Sequence, residues 1–341
     1  MYHDDAIEKL DQFLEDYPEN IYKEIVYLRI GKYFYQKKKF KEALEYFALL
    51  NQRALPADEK DEYYFKVGYA NFQLGNFKEA RSAFFEVKDG DSGYAGPAMY
   101  YFSHISYQDK QYQVALEGFK KLQNDARFKE VVPYYIAQIL YLQKKYDELV
   151  VYAPGIMDSV KAKRSADMSL LIGDAYYKTG KYDESVPYLE AYNNQKQTTR
   201  SEDYQLGYAY FKSGSYDKAV VLFDQVAREK DLLGQTALYH MGESYLKNEK
   251  FDYARSSFES ASVLDFDPNI QEDALFNYAI LSYKLDYNPF DEAIEALELY
   301  LEKYPKSKRK QDVYEYLVNV YTTTKNYKPA LEALKKIEDK D

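Results

Sequence analysis

Imidazoles and thiols do most side-chain chemistry at neutral pH, and this chain of 341 residues has three histidines and no cysteine. His104 and His240 fall in different sequence repeats and His3 lies near the start, so no pair is placed to share a proton or a zinc ion. Without cysteine, disulfides and thiolate metal sites are excluded. Asp89 and Asp91 in KDGDSGYAGP open like a calcium loop, but its sixth position is Tyr94 instead of glycine and its twelfth is Tyr100 instead of a bidentate glutamate. HExxH, a phosphate-cradling glycine loop and a serine elbow are absent. The sequence therefore predicts no enzyme, no metal and no cofactor. What it has in abundance is the chemistry of contact, with 41 tyrosines and 19 phenylalanines. A tyrosine offers a large apolar ring and a hydroxyl at small entropic cost.

The placement of those rings depends on a repeated element. The stretch Gly207–Ala219, GYAYFKSGSYDKA, recurs as GYANFQLGNFKEA at 68–80 and GDAYYKTGKYDES at 173–185, and in weaker form nine times in all. A small residue usually heads each copy: Gly31, Gly68, Ser103, Ala137, Gly173, Gly207, Gly242, Ala279 and Val318, spaced 34 to 39 residues apart. Twelve places on, except for fourteen in the eighth copy, stand Ala43, Ala80, Ala115, Leu149, Ser185, Ala219, Ala254, Ala293 and Ala330. An aromatic precedes each by three (Phe40, Phe77, Tyr112, Tyr146, Tyr182, Tyr216, Phe251, Phe290, Tyr327), and a mostly large residue follows by four. Two helices with small residues at their crossing can approach closely while large neighbours fill the grooves. Gly75, Gly180 and Gly214 suit a turn that ends the first helix at positive φ, and Ser215 is placed to cap the second.

In period, paired small residues and turn aromatic, the chain resembles an array of tetratricopeptide (TPR) repeats from residue 22 to 341. The resemblance implies an all-α fold, a right-handed superhelical α-solenoid of about nine helix-turn-helix units, organised as a half-repeat helix at 1–21, units one to four at 22–157 and units five to nine at 158–341. The fourth unit departs from the pattern because Leu149 and Ala153 exchange large for small and Pro154-Gly155 follows. That predicts a shortened, repacked helix, with a hinge near 154–165 as the sharper reading. FLEDYPEN at 13–20 and YLEKYPKS at 300–307 resemble repeat ends of bacterial cell-envelope members of the family. On that reading the compartment is the periplasm or cell envelope if an upstream signal is removed, and the cytoplasm otherwise.

In the first helices the apolar stripe runs beyond the core positions. Three places before the anchor stand Tyr100, Tyr134, Tyr204 and Tyr239, with Phe65 and Phe276; four places after it stand Tyr35, Phe72, Tyr107, Tyr141 and Tyr177, with Phe211 and Tyr283. The two positions are seven apart and share one helical face. One place after the anchor come Lys32, Tyr69, His104, Gln138, Asp174, Tyr208 and Glu243. The resemblance places this face on a concave groove, so the sequence predicts a partner-binding site there for a peptide segment or protein. Glycan binding and a purely structural assembly role are the alternatives. The lysine and asparagine carboxylate clamp of chaperone-binding relatives is not reproduced, which argues against a C-terminal carboxylate ligand.

A net charge of −10 disfavours nucleic acid as the main partner, and the basic runs at 37–41 and 303–310 read as solvated faces. No stretch approaches the roughly twenty apolar residues that span a bilayer, so direct membrane insertion is not expected. Ala6–Pro18 matches a second helix without its first, and the ninth second helix, carrying Ala330, Leu331, Leu334 and Ile337, is followed only by 338–341. Both ends fit a piece of a longer array, or alternatively ends sealed by end-to-end self-association.

Overall fold

The computed structural model describes residues 4–159, 162–285 and 291–337. Among them all regular structure is helical, with nineteen α-helices and two short 3₁₀ turns. The chain divides into two compact units, Met1–Leu171 and Ile172–Asp341. In the first, α1 (Asp4–Asp16) precedes four hairpins: α2 (Lys23–Gln36) with α3 (Phe40–Ala48), α4 (Ala57–Gln73) with α5 (Phe77–Phe85), α6 (Ala95–Gln108) with α7 (Tyr112–Leu122), and α8 (Val132–Leu142) with α9 (Tyr146–Tyr152). The division falls within α10 (Ala162–Lys178), which pairs with α11 (Tyr182–Asn193). Four more hairpins follow: α12 (Arg200–Lys212) with α13 (Tyr216–Val226), α14 (Leu232–Lys247) with α15 (Phe251–Ser262), α16 (Pro268–Leu285) with α17 (Asp291–Lys303), and α18 (Lys310–Thr323) with α19 (Tyr327–Leu334). Within each unit successive helices pack on one another, which is the α-solenoid arrangement.

The hairpins close as the small-on-large pattern requires. A methyl group added to Gly31 would sit 2.4 Å from the Phe47 ring; at Gly68, Gly173 and Gly242 it would meet Phe84, Leu189 and Phe258 at 2.8 to 2.9 Å. Phe47, Phe84, Phe119, Phe223 and Phe258 are fully buried, as are Ala43, Ala80, Ala115, Ala219 and Ala254 beside them. Burying one such ring stabilises by about 1.5–3 kcal/mol. In the fourth unit Leu149 and Ala153 are both fully buried, so the exchanged volumes still fill the crossing. Helix α9 has only seven residues and gives way to a 3₁₀ turn at Pro154–Ser159. The shortened helix is thus present; part of the 154–165 segment lies outside the described residues, as do His3, the extra residues Asp286–Pro289 of the eighth unit with Phe290, and 338–341.

The turn inside each hairpin is more uniform than its glycines suggest. Seven places after the anchor, Gly75, Gly180 and Gly214 have φ of 74° to 81°, and Lys38, Lys110, Lys144, Glu249 and Lys325 have φ of 57° to 62° at the same place. Every described copy therefore takes a left-handed residue there, whether or not it is glycine. In the described copies the residue that enters the second helix has ψ near 60–70° instead of extended backbone, as at Lys39, Asn76 and Ser215. In that geometry Ser215 makes no side-chain capping bond, contrary to expectation. Side-chain caps occur instead ahead of first helices, where Thr199 forms a capping box with Glu202, Asp231 accepts from Gly234 N, and Asp267 accepts from Asn269 N.

Two substitutions separate these constraints. Lys110→Gly relieves a left-handed cost of about 1–2 kcal/mol against an unfolded-state entropy loss of about 0.4–1 kcal/mol, so its urea midpoint should rise. Gly31→Ala gains roughly 1 kcal/mol in helix propensity but drives a methyl into a ring that cannot retreat, typically costing about 1–3 kcal/mol, so its midpoint should fall. A midpoint that rises for Gly31→Ala would refute the close crossing.

Candidate functional site

In the first unit, the rings of successive first helices touch in series. Tyr35 lies 5.9 Å from Tyr69, Tyr69 lies 5.4 Å from Tyr101, and Tyr101 packs on Tyr100 at 5.3 Å. Tyr100 stacks on His104 at 6.1 Å, His104 meets Tyr135 at 5.5 Å, and Tyr135 contacts both Tyr107 and Tyr134. Phe72 joins from the side through Tyr101 and His104. Gln138 ties the end of this series together: the Tyr107 hydroxyl donates to its Oε1 at 2.9 Å, and its Nε2 donates to the Tyr134 hydroxyl at 3.1 Å. At the other end the Lys66 ammonium sits 4.4 Å from the Tyr35 ring, and Lys32 is buried between Glu59 and Glu62 at 2.6 and 2.7 Å.

The second unit carries a tighter cluster around one imidazole. His240 lies 5.1 Å from Tyr208, 5.5 Å from Tyr239, 5.6 Å from Phe211 and 6.1 Å from Tyr204, and its Nδ1 is 2.7 Å from Glu243 Oε2. Tyr177 reaches Tyr208 at 5.9 Å. Asp174 is buried beneath this surface and accepts from Lys178 and Gln205. His104 lies in the first unit and His240 in the second.

The fourteen sequence-predicted residues are thus half-buried, except for the buried Asp174. They divide into two roles. The rings four places after the anchor pack on the turn aromatic of their own hairpin, edgewise for Tyr35 on Phe40, Phe72 on Phe77, Tyr141 on Tyr146 and Tyr177 on Tyr182 and tilted for Tyr107 on Tyr112, all at 5.4 to 5.9 Å. Most of the others meet the next or preceding hairpin. That contact is made by a position the sequence reading passed over, two places before the anchor, where Tyr101, Tyr135 and His240 stand. Each lies against the buried ring of the preceding hairpin, on Phe84 at 5.4 Å, Phe119 at 5.0 Å and Phe223 at 6.0 Å. The signal was available, since large or polar side chains fill this register, but on a single wheel it reads as core edge.

Family profiles described as tetratricopeptide repeat match residues 28–95, 166–195, 204–269 and 273–307, together more than half of the sequence. The chain belongs to the tetratricopeptide repeat family. Members of this family are generally non-catalytic modules that bind peptides or proteins, and a protein-interaction scaffold is the reading that membership supports. None of the curated proteins matches the sequence. Solved structures of similar fold include YrrB, described as a TPR protein with an unusual peptide-binding site (18% identity over 56% of this chain and 95% of that one, TM-score 0.42). Others are MamA MSR-1 C2 (17%, over 50% and 96%, TM-score 0.40) and the C-terminal part of a TPR repeat-containing protein from Cytophaga hutchinsonii (15%, over 84% and 98%, TM-score 0.38). Among the described residues of this TPR chain no helix is long and apolar enough to cross a membrane.

Ring packing shows in the acidity of the hydroxyls. Burial, reinforced by neighbouring tyrosines, holds Tyr35, Tyr100, Tyr177 and Tyr204 well above the ordinary phenol range and pushes Tyr101 up to about 12, while burial reinforced by the Glu243 and Asp273 carboxylates pushes Tyr239 up to about 12. A phenol whose folded pKa exceeds its unfolded value of about 10 keeps a proton that the unfolded chain loses. Its stabilisation is complete below pH 10 or so and disappears as pH rises through the folded value. Melting temperature should therefore hold between pH 7 and 9 and fall above about pH 10, with part of the 295 nm tyrosinate absorbance appearing only as the fold is lost. Complete titration near pH 10 with the helices intact would show that the rings are not packed as described.

Proposed function

We propose that this TPR array is a non-catalytic scaffold whose tyrosine-rich first-helix face binds an extended peptide segment or a protein partner. The observation that carries the proposal is the unbroken series of half-buried rings from Tyr35 to Tyr134, fixed before any ligand arrives by edge contacts and by Gln138. A surface already rigid loses little conformational freedom on binding, so more of the contact energy is available as affinity.

Half-burial also sets how such a surface must be used. Full burial of one aromatic is worth about 1.5–3 kcal/mol, so the part still exposed on each ring offers on the order of 1 kcal/mol. Micromolar affinity corresponds to about 8 kcal/mol after ordering costs. The ligand must therefore run across several hairpins and collect polar contacts as well, which suits a peptide backbone rich in donors and acceptors.

The test compares three proteins on a peptide array: wild type, Tyr107→Ala/Tyr134→Ala, and Val221→Ala on the second-helix side. Peptides retained by wild type should weaken at least ~10-fold with the double variant, the loss expected of two anchor rings, and stay bound to Val221→Ala. Melting curves would verify the fold. Unchanged peptide binding in the double variant, or retardation of wild type by polysaccharide in an affinity gel with no array signal, would overturn the reading in favour of a structural or a glycan-binding role.

A further inference from the structure

Among the described residues, arginines that are partly withdrawn from water have acceptors, with the exception of Arg164. Arg29 faces Glu59, Arg200 faces Asp231 and Glu229, Arg255 faces Glu292, Arg309 faces Asp273, and Arg81 donates to the side-chain oxygen of Gln111. Arg164, near the start of α10, is half-buried and has only rings. Its guanidinium lies 4.7 Å from the centre of Tyr134 and 5.4 Å from that of Tyr135, it makes no ion pair among the described residues, and its Nη1 is buried without a hydrogen-bond partner.

A second orphan stands on the same wall. His104 stacks on Tyr100 and meets Tyr135 at 5.5 Å, and its Nδ1 is buried with no partner either. Its imidazole is held below its usual pKa by burial first and by the charge of Arg164 second, so it is neutral at physiological pH and can present an N–H at Nδ1. Tyr135 links the two groups, its ring lying 5.4 Å from the Arg164 guanidinium and 5.5 Å from the His104 imidazole. Asp167, one turn further along α10, acts on Tyr134. A permanently charged, planar, multi-donor group stacked on aromatic faces, with a neutral N–H nearby and no acceptor, is configured for a planar oxyanion.

We propose that Arg164, with His104, forms a subsite on the tyrosine face that binds the side-chain carboxylate of a glutamate or aspartate within the bound peptide. The inference rests on the peptide reading given above and names one chemical requirement of the ligand. Because Nη1 is out of contact with solvent, the carboxylate has to be carried inward on a flexible stem, which a side chain supplies and a chain terminus fixed to its own Cα does not. The net charge of −10 repels acidic partners at long range, so the subsite selects a single local carboxylate within a segment that is not itself strongly acidic.

The test uses full-length protein labelled with ¹⁵N-arginine and follows the side-chain Nε–Hε signals during titration with N-acetyl-glutamate amide. One signal should shift saturably with a dissociation constant on the order of millimolar, as expected of a single isolated contact, and not respond to N-acetyl-glutamine amide or to sodium chloride at equal ionic strength. That signal should be missing in Arg164→Gln. Arg164→Lys keeps the charge but not the planar fork, and should bind at least ~10-fold more weakly. An equal response to the glutamine probe overturns the subsite, and so does equal or tighter binding of N-acetyl-alanine, whose carboxylate sits on Cα. If Arg164 is silent while Tyr107→Ala/Tyr134→Ala still loses its array peptides, the subsite falls and the scaffold reading stands. If Arg164 responds but wild type retains no array peptide, the subsite stands and the peptide reading falls.

Discussion

The close crossing of two helices, where a residue with little or no side chain faces a large one, is the contact on which the structure depends. Gly31 lies against Phe47, Gly68 against Phe84, Gly207 against Phe223 and Gly242 against Phe258. Each pair lets the backbones approach until the ring fills the groove, and interior packing of that density tolerates neither a void nor an added methyl. The crossing also fixes what is left over. Once a hairpin has committed its inner stripes to this contact, the first-helix rings beyond them pack on the start of their own second helix, as Tyr35 does on Phe40, or on the next hairpin, as Tyr69 does on Tyr101.

The residue two places before the anchor is where that surplus becomes structure. Tyr101 stacks on Phe84, Tyr135 on Phe119, and His240 lies tilted on Phe223, each joining a buried ring of one hairpin to the first helix of the next. A second link runs on the other side, where Tyr210 and Tyr321, three places after their anchors, donate to Glu190 and Glu298 of the preceding second helices. Lys218 reinforces the first of these from outside, at 2.9 Å from Glu190, whose carboxyl is held below its usual range first by the Tyr210 hydroxyl and then by Lys218. Repeat arrays gain their cooperativity from such neighbour contacts, and here tyrosine supplies both the stacked ring and the hydroxyl bond.

Much of this was legible in the sequence because it depends on volume and period. The nine anchors, the alanines opposite them and the turn aromatics defined the hairpins, and the exchange of Leu149 and Ala153 forecast the shortened α9. What did not show was geometry created by the backbone. Ser215 has the right chemistry for a cap, but it follows a left-handed residue, has ψ near 58° instead of extended backbone, and makes no capping bond. Lys110 and Glu249 give no sign in composition that they sit at positive φ, because the turn imposes that conformation on whatever residue arrives there. The first-helix face was legible as a set of rings, whereas their partners were not: a helical wheel treats one helix alone, and the contacts of Tyr69 with Tyr101 or of His104 with Tyr135 belong to two. Arg164 was missed for the same reason, since only the fold brings the start of α10 beneath Tyr134.

A surface built from half-buried rings resolves a conflict between stability and recognition. Fully exposed tyrosines would offer more area to a ligand but would make the array adhesive toward copies of itself, while fully buried ones would offer nothing. Here the edges that face inward hold neighbouring hairpins together, and the faces or hydroxyls that remain are too small individually to bind anything. On the scaffold reading proposed above, specific binding would require a ligand long enough to touch several hairpins at once, with length of contact as the filter. In the proposed subsite Arg164 adds a planar charged donor with no ion pair among the described residues, which would distinguish one position along the ligand from the next. Register along an otherwise repetitive surface is what a row of similar tyrosines cannot supply by itself, and the proposed subsite of Arg164 with His104 would supply it.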